Sequence, residues 1–374
     1  MPLTAPESPE SRSAGLFAVL RALFRPEPPP EIRGSRDTAG LLAVLFVLMV
    51  LVTIASVRYG AIDFTPREMW TAFVSLFTAH PPLTLNERIF LELRVPRALL
   101  CLAVGAALGV GGALMQALFR NPIVEPGLVG TSSGAALGAS LYFVLGGVLH
   151  FTAGVWTLPL AACLGGVVAT YLVFALAQSN ADGRSSIVLL LLTGLAVNAL
   201  CLSGIGFLSY IARDPQARSI VFWNLGTMAG ANWDAVLIVG VATVGGVTLA
   251  LGYAKQLNAL MIGEEEAIYL GVNVNRLKWA VLTINVIMVA VATAFTGVIS
   301  FVGLIVPHIL RILRGADNRY LIIGSSLLGA TLLSLADLVA RLTLRPAELP
   351  IGIVTSVVGV PVFLSLLRNR QYLF

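Results

Sequence analysis

The sequence predicts an all-α integral membrane protein with ten transmembrane helices. Of its 374 residues, 57% are hydrophobic and 11% are charged, and the mean hydropathy is +0.89. Soluble domains carry about 25% charged residues, so this composition excludes an ordinary soluble protein. The uncharged runs are about 20 residues long or longer, which suits membrane-spanning helices rather than the shorter strands of a barrel.

The N-terminal segment 1–37 is predicted to be a retained, mostly disordered cytoplasmic tail. It is rich in Pro, Ser and Arg and includes PEPPP at 26–30. The amphipathic piece GLFAVLRALF at 15–24 is too short to span a membrane and is interrupted by Arg21. No apolar core is followed by a small-residue cleavage site, so a signal peptide is not expected. The remainder, 38–374, is predicted to form one transmembrane domain.

Each span is predicted where about 20 residues carry no charge. The polar stretch 58–97, between the first two spans, is expected to be an extramembrane loop with an amphipathic helix near TPREMWTAFVSLF. The run 279–310 is too long for one span, and Gly297, Gly303 and Pro307 predict a break in it. The predicted spans are 38–57, 98–119, two within 126–181, 185–212, 235–254, two within 279–310, 320–337 and 349–367.

The distribution of Lys and Arg predicts that both termini are cytoplasmic. In that orientation fifteen basic residues face the cytoplasm and nine face outward, and five of those nine lie in the loop 58–97. Cytoplasmic segments are enriched in Lys and Arg, so topology explains the net charge of +5 better than a nucleic-acid partner does.

The segment 254–278 is the densest cluster of charge in the chain. It cannot lie in hydrocarbon and is predicted to be cytoplasmic. Asn258 is expected to cap one short helix, and residues 264–266 to fill the first turn of a second, where carboxylates suit the positive end of the helix dipole. Gly263 would permit a sharp redirection, and Gly271 would end the second helix. The alternative is a plain loop whose charges keep it in water.

Small residues spaced four apart predict close packing of the second and third spans. The small residues are Gly105, Gly109 and Ala113 in the second span, and Gly130, Gly134 and Gly138 in the third.

Asn198 is a polar residue inside a later span. It would either line a path or, more often, hydrogen-bond to a neighbouring helix.

No motif for catalysis or metal binding is present in the sequence. GxxxxGK[ST] and HExxH are absent, the three His are scattered, and the three Cys lie in apolar runs. Asp337 lies four residues before Arg341, which predicts a local ion pair near the outer end of a span. An enzyme is therefore not expected, and one acid so placed gives an ion-coupled carrier only weak support.

Three long blocks resemble the permeases of ABC importers for iron-siderophores, haem and cobalamin, the FecCD-like family. They are RVPRALLCLAVGAALGVGGALMQALFRNPIVEPGLVGTSSGAALGA at 94–139, GVISFVGLIVPHILRILRGADNRY at 297–320 and DLVARLTLRPAELPIGIVTSVVGVPVFLSLL at 337–367. The likeness covers essentially everything from about residue 40 onward, so only the tail 1–37 is outside it.

The resemblance implies a type II ABC importer permease in the bacterial inner membrane. Such permeases are homodimers of ten-helix subunits, surrounded by membrane lipid, that work with two cytoplasmic ABC ATPase subunits and a periplasmic binding protein. The chain would bind no cofactor itself, since the partner subunits use the ATP. In this family the loop between the sixth and seventh helices holds the coupling helices, here expected near 258–271. The implied coupling residues are Gly263, Glu264, Glu265, Glu266, Ala267, Leu270 and Gly271.

The stretch 191–234 resembles haem permeases, chiefly through GIGFLSYIARDPQARSIVFWNLG. Arg213 and Arg218 would lie at the outer end of the fifth helix, and Asn198 would lie on the substrate path. Guanidinium groups bind carboxylates in bidentate fashion, which suits the two propionates of haem. The alternative is that these arginines cap a helix or hold a loop.

The resemblance also suggests that outer arginines meet acidic residues of the binding protein. Arg58, Arg341 and Arg345 are the candidates, with anchoring at the membrane interface as the alternative. Haem import is the favoured function. A ferric-siderophore or cobalamin importer is the second hypothesis, and an ion-coupled secondary carrier is the third.

Overall fold

The computed structural model describes residues 35–60, 63–75, 84–149, 154–177, 187–345 and 347–368. The chain divides into two units, Met1–Gly40 and Leu41–Phe374, and only the helix start at 35–40 is described in the first. The predicted tail up to residue 34, including GLFAVLRALF, lies outside the described residues, and so do His80 and His150.

Regular structure is entirely helical throughout the described ranges, as the sequence predicted. A π-helical segment, Ile89–Arg94, joins α3 to α4, and short 3-10 turns at Pro126–Val129 and Gly154–Trp156 precede α5 and α6. The α-helices are α1 (Ser35–Arg58), α2 (Pro66–Ser75), α3 (Leu85–Arg88), α4 (Val95–Leu118), α5 (Thr131–Leu149), α6 (Thr157–Leu176), α7 (Ile187–Ile211), α8 (Asp214–Asn224), α9 (Trp233–Ile262), α10 (Glu264–Tyr269), α11 (Val274–Thr296), α12 (Val302–Arg314), α13 (Asn318–Thr343) and α14 (Ile351–Arg368).

Seven helical stretches among the described residues are long and apolar enough to cross a membrane, which confirms an all-helical membrane protein. Helices α5, α12 and α14 occupy the positions of three further predicted spans, and the count of ten stays a prediction. The seven stretches are Asp37–Arg58, Leu85–Leu118, Gly154–Leu176, Val188–Ile211, Trp233–Ile262, Val274–Thr296 and Asn318–Thr343.

The helix that contains the second predicted span begins well before the uncharged run 98–119. Helical structure is continuous over Leu85–Leu118, so the expected loop 58–97 ends at Thr84. Thr84 caps this start, because its hydroxyl accepts from the Glu87 N–H at 3.3 Å while the Glu87 carboxylate accepts from the Thr84 N–H at 2.8 Å. The charged residues of 88–97 are thus part of the helix, where ion pairs and backbone carbonyls satisfy several of them.

Helices α4 and α13 pack closely through glycine residues. A Cβ atom added to Gly105 would collide with the carbonyl oxygen of Gly329, and one added to Gly109 with that of Ser325. The two backbones therefore touch directly, as the small-residue pattern predicted.

Helices α5 and α6 repeat this arrangement. Gly134 faces the backbone of Gly165, and Gly138 faces that of Ala161. Gly130 extends the same face toward α6, because a Cβ there would lie 3.6 Å from the Ala169 backbone. It precedes α5 with φ +88°, a left-handed conformation that ends the 3-10 turn and that a side chain would strain.

The predicted break in 279–310 is present at residues 297–301. Helix α11 ends at Thr296, Gly297 has φ +72°, and α12 starts after Phe301, which has φ +70°. The Thr296 carbonyl accepts from the N–H of Thr227, so the break is tied to the connection between α8 and α9. Pro307 lies inside α12 and does not cause the break.

Helix α2 is the amphipathic helix predicted in the first polar stretch. Ala72 is buried on one side, whereas Trp70 on the other is 67% exposed. The Thr65 N–H donates to Glu68 at 2.8 Å, and this hydrogen bond lowers the pKa of the Glu68 carboxyl. The bond satisfies a donor at the start of the helix.

Candidate functional site

The segment 254–278 forms a long helix end followed by one short helix. Helix α9 continues without interruption to Ile262, so the prediction that Asn258 starts a separate short helix is wrong. The Asn258 side chain instead makes tertiary contacts. Its amide donates to Asp317 at 2.9 Å, and its oxygen accepts from the Asn318 N–H at 2.8 Å. An Asn in a last helical turn is thus satisfied by the start of α13, a partner that local pattern does not reveal.

Helix α10, Glu264–Tyr269, is the predicted second helix. Its three glutamates occupy the first turn, where they complement the helix dipole. Gly271 has φ +81°, and the Val272 N–H donates to the Ala267 carbonyl at 2.9 Å, which closes the helix as predicted. Gly263 has an extended φ of 167°, which any residue adopts. A Cβ there would meet only the carboxylate end of the flexible, exposed Glu266 side chain, which can move aside, so neither backbone conformation nor space requires glycine at this position.

The short helix is fixed rigidly to the bundle. Glu264 forms an ion pair of 2.9 Å with Lys278, whose side chain is 3% exposed. Ala267 is fully buried and belongs to the main apolar core. A force applied to α10 would therefore be transmitted to α11 through covalent, ionic and apolar contacts.

An apolar surface lies on the outside of this rigid element. Tyr269 is 89% exposed, and Ile262, Ile268 and Leu270 are also exposed. Among the predicted coupling residues, Leu270 is on this surface together with Glu265, Glu266 and Gly271, whereas Gly263 and Ala267 are buried and Glu264 is half-buried. Contiguous exposed apolar side chains in a polar segment are typical of a protein-binding site.

Arg213 and Arg218 both lie at the start of α8. Arg213 is the residue before the helix, and its N–H donates to the Gln216 side chain at 3.0 Å. Both arginine side chains are exposed. No hydrogen bond or ion pair of either guanidinium is recorded among the described residues, so the structure shows Arg213 at a helix start with its charge directed to solvent.

Asn198 is satisfied within the bundle. Its amide donates to the Gly127 carbonyl at 3.2 Å, and its oxygen accepts from the Ser133 hydroxyl. These contacts join α7 to the 3-10 turn and to α5, so the structure supports the interhelical alternative for this residue.

The three predicted docking arginines occupy different environments. Arg341 is 5% exposed and buried, and it binds Asp337 at 2.9 Å, the Ser56 hydroxyl at 2.7 Å and the Tyr59 carbonyl at 3.1 Å. Its predicted docking role is therefore wrong, since no part of the guanidinium is free to meet a partner. The predicted Asp337–Arg341 pair is confirmed. Arg345 is exposed and lies 3.7 Å from Asp63.

Arg58, the third candidate, lies over the ring of its neighbour Tyr59 at 5.0 Å. Cation–π contact of this kind holds an arginine at an interface without consuming its hydrogen-bond donors. Arg58 is half-buried, so part of its side chain faces outward.

An ion network at this end of the bundle was missed from the sequence. Arg97 binds Asp337 at 2.8 Å and Glu348 at 2.9 Å, and Asp337 also binds Arg341. It connects the start of α4, the end of α13 and the segment before α14. The available signal was the pair of acids Asp337 and Glu348 beside an apolar run, but nothing local identified Arg97 as their partner.

Glu125 was also missed. Its carboxylate accepts from the Phe301 N–H at 3.4 Å, at the start of α12. The next residue, Pro126, lies against Gly111 and Gly303, within the packed part of α4 and α12. The 120–130 segment therefore re-enters the bundle and brings an acid to the helix break.

Nothing in the described part of the chain resembles a metal centre. No group of three or more His, Cys, Asp or Glu side chains is close enough to hold an ion there. Cys101, Cys163 and Cys201 are free thiols, the first and third buried.

Comparisons with known proteins agree on one kind of relative. Residues 47–369 match the model of the FecCD transport family. The Hemin transport system permease protein HmuU of Yersinia pestis is 40% identical over 332 residues, which cover 88% of this chain and 96% of that protein. The Vitamin B12 import system permease protein BtuC of Shigella boydii is 36% identical over 338 residues, covering 90% and 97%.

A solved structure provides the corresponding match in three dimensions. It is described as an inward-facing conformation of a metal-chelate type ABC transporter. The TM-score is 0.76 at 32% sequence identity, and the match covers 88% of this chain and 99% of that one.

Proposed function

The chain belongs to the FecCD transport family, and on that premise we propose that it is the transmembrane permease of an ATP-driven importer that moves haem from the periplasm to the cytoplasm. A permease of this family is not itself an enzyme, so the ATP is hydrolysed by a partner ATPase. Membership favours ATP-driven import over the ion-coupled carrier hypothesis.

The observation that supports haem is the likeness to the hemin permease, at 40% identity over almost the full length of that protein. The vitamin B12 permease from Shigella boydii is 36% identical over a similar length. Arg213 and Arg218 add a chemical reason. In a two-fold dimer each exposed guanidinium occurs twice, and guanidinium binds the carboxylates of haem propionates in bidentate fashion.

Uptake by the reconstituted transporter tests the substrate. Vesicles holding the permease and its ATPase are supplied with haem, a ferric siderophore or cobalamin, each with a candidate binding protein. We expect ATP-dependent uptake of haem. Preferential uptake of cobalamin would instead support the second hypothesis, for which the vitamin B12 relatives are the evidence. Uptake driven by an ion gradient without ATPase would overturn the proposal.

The role of Arg218 is tested in the same vesicles. Arg218→Ala is expected to lower the rate of haem uptake while the complex still assembles. Arg88→Ala is the matched control, because Arg88 is also exposed and near the outer face, in a pair with Glu92 of 3.8 Å. Equal uptake by the two variants would exclude Arg218 from the substrate path.

The proposed assembly is a homodimer with two ATPase subunits and one periplasmic binding protein. Ten spans per subunit would result from adding α5, α12 and α14 to the seven long spans. An even number of spans places both termini on one side, and the excess of Lys and Arg favours the cytoplasm. Labelling of single cysteines at Lys255 and at Arg345 from each side of the membrane tests this orientation.

The surface of α10 is the proposed docking site for the ATPase. Its exposed apolar side chains would enter a groove on the partner, while Ala267 and the Glu264–Lys278 pair hold the helix in place. On the outer face, Arg58 and Arg345 remain the proposed contacts for acidic residues of the binding protein.

A further inference from the structure

Arg311, in the last turn of α12, is held in one orientation by a neutral neighbour. Its Nη1 donates to the Gln116 side-chain oxygen at 2.8 Å. The Gln116 amide in turn donates to the Leu304 carbonyl at 3.1 Å, near the start of the same helix. Gln116 is 1% exposed, so this support is inside the bundle.

The opposite edge of this guanidinium has no partner. Nε and Nη2 of Arg311 are both buried and make no hydrogen bond. None of the ion pairs between described residues includes Arg311. Gln116 satisfies one donor but contributes no negative charge. A buried charge without a counter-charge is costly, so an anion at this edge would be strongly favoured.

A second orphaned group lies on the same face of α12. His308 is three residues before Arg311, a spacing that places two side chains side by side on a helix. It is 8% exposed, and its Nε2 is buried without a partner. Arg120 follows Gln116 by one turn, just beyond the end of α4, and its Nε is likewise buried and unpartnered.

The free atoms indicate the chemistry of the ligand. Nε and Nη2 form one edge of the planar guanidinium and present two parallel N–H donors, the arrangement that matches two oxygens of a carboxylate or phosphate. The imidazole of His308, three residues earlier on the same helix face, can donate a further hydrogen bond to such a group. A cation or an apolar ligand would leave these donors unsatisfied.

We propose that Arg311 and His308 form an oxyanion-binding site at the end of α12, which takes a carboxylate or phosphate group. The group can belong to a dissolved anion or to the headgroup of an acidic phospholipid. This site is separate from Arg213 and Arg218 and does not depend on the identity of the transported substrate.

Thermal unfolding of the purified full-length chain in a neutral detergent tests the site. The probes are inorganic phosphate, with sodium chloride at equal ionic strength as reference, and mixed micelles of phosphatidylcholine with or without phosphatidylglycerol. At ten times its Kd a ligand should raise the Tm of the wild type by on the order of 3 °C. A rise with phosphate identifies a dissolved anion as sufficient, and a rise with phosphatidylglycerol alone identifies the headgroup.

Three variants assign the effect to the site. Arg311→Gln should abolish the rise, and Arg311→Lys, which keeps the charge but loses the two-donor edge, should reduce it. Arg319→Gln is the matched control, because Arg319 is an exposed arginine at the start of the next helix, and it should keep the full rise. If Arg311→Gln does not fold, the comparison of Arg311→Lys with Arg319→Gln decides. No rise in the wild type, or the same rise in wild type and Arg311 variants, overturns the proposal.

Discussion

Arg97 and Asp337 form an ion pair with an Nη2–Oδ1 distance of 2.8 Å, although they are 240 residues apart in the chain. The Asp337 side chain is 1% exposed, and its other oxygen binds Arg341 at 2.9 Å. Both nitrogens at the tip of Arg97 also bind Glu348 at 2.9 Å. One carboxylate thus neutralises two guanidinium groups, and one of these groups holds the segment that leads into α14.

Asp337→Asn is expected to destabilise the fold by about 3–5 kcal/mol, because it leaves Arg97 and Arg341 without their shared counter-charge in a buried site. The measurement is the free energy of unfolding in mixed micelles of increasing denaturing detergent. Glu92→Gln is the control. It breaks the Arg88–Glu92 pair, whose side chains are 63% and 60% exposed, and should cost about 0–1 kcal/mol. A similar loss in both variants would show that burial does not set the contribution of Asp337.

Gly105→Ala and Gly240→Ala should change stability in opposite directions. A Cβ on Gly105 would meet the Gly329 backbone, so the α4–α13 contact must open, at a cost of about 1–3 kcal/mol. Gly240 lies in helix α9 with open space around it, and Ala there should stabilise by about 0.4–1 kcal/mol by restricting the unfolded chain. The same unfolding measurement checks both. Destabilisation by Gly240→Ala would contradict the assumption that α9 tolerates a methyl group there.

Tyr269→Ala should impair coupling without affecting the fold. Tyr269 is 89% exposed, so its removal leaves the Tm unchanged, whereas a hot-spot side chain lost from an interface weakens binding by about 2 kcal/mol, or roughly 30-fold. The measurement is affinity for the ATPase together with stimulated ATP hydrolysis.

Ala267→Leu is the companion to that experiment. Ala267 is fully buried within the chain, so a larger side chain is expected to lower the Tm by overpacking the core. Loss of coupling in Ala267→Leu would therefore reflect a damaged fold. If Tyr269→Ala keeps full affinity for the ATPase, the exposed face of α10 does not bind the ATPase.

Arg341→Gln and Arg345→Gln separate stability from the proposed docking of the binding protein. Arg341 is buried with four hydrogen-bonding or ionic contacts, so its loss should lower the Tm. Arg345 is exposed, and its substitution should leave the Tm unchanged but weaken capture of the binding protein, with a larger effect at low salt. Binding-protein affinity measured at two ionic strengths checks this. Unchanged affinity for Arg345→Gln would remove it from the docking surface.

Several features of the fold were predictable from local sequence. Long uncharged runs locate membrane helices because burial in hydrocarbon excludes charge over about 20 residues. The break near Gly297 and the short helix Glu264–Tyr269, closed at Gly271, follow from backbone preferences and the helix dipole, which depend on residues that are near one another in the chain. The small residues predicted that α4 and α5 would each pack closely against another helix, but they did not identify the partners, which are α13 and α6.

Other features could not be predicted this way. The uncharged run that predicted the second span begins after Arg97, whereas the helix begins at Leu85. The residues near Arg97 in the chain do not show that Asp337 and Glu348 neutralise its charge. Asn258 has the chemistry of a helix cap, yet its partners, Asp317 and Asn318, come from α13.

The sequence by itself determined the membrane class, the positions of most helices and the family, since these depend on hydropathy and on residue order. Only the tertiary structure decided the roles of individual charged residues. It buried Arg341 and left Arg345 exposed, and it left one edge of Arg311 without a partner. The physical reason is that the energy of a charge depends on its solvation and on the nearest opposite charge, and in a folded bundle both are set by residues that are distant in the chain.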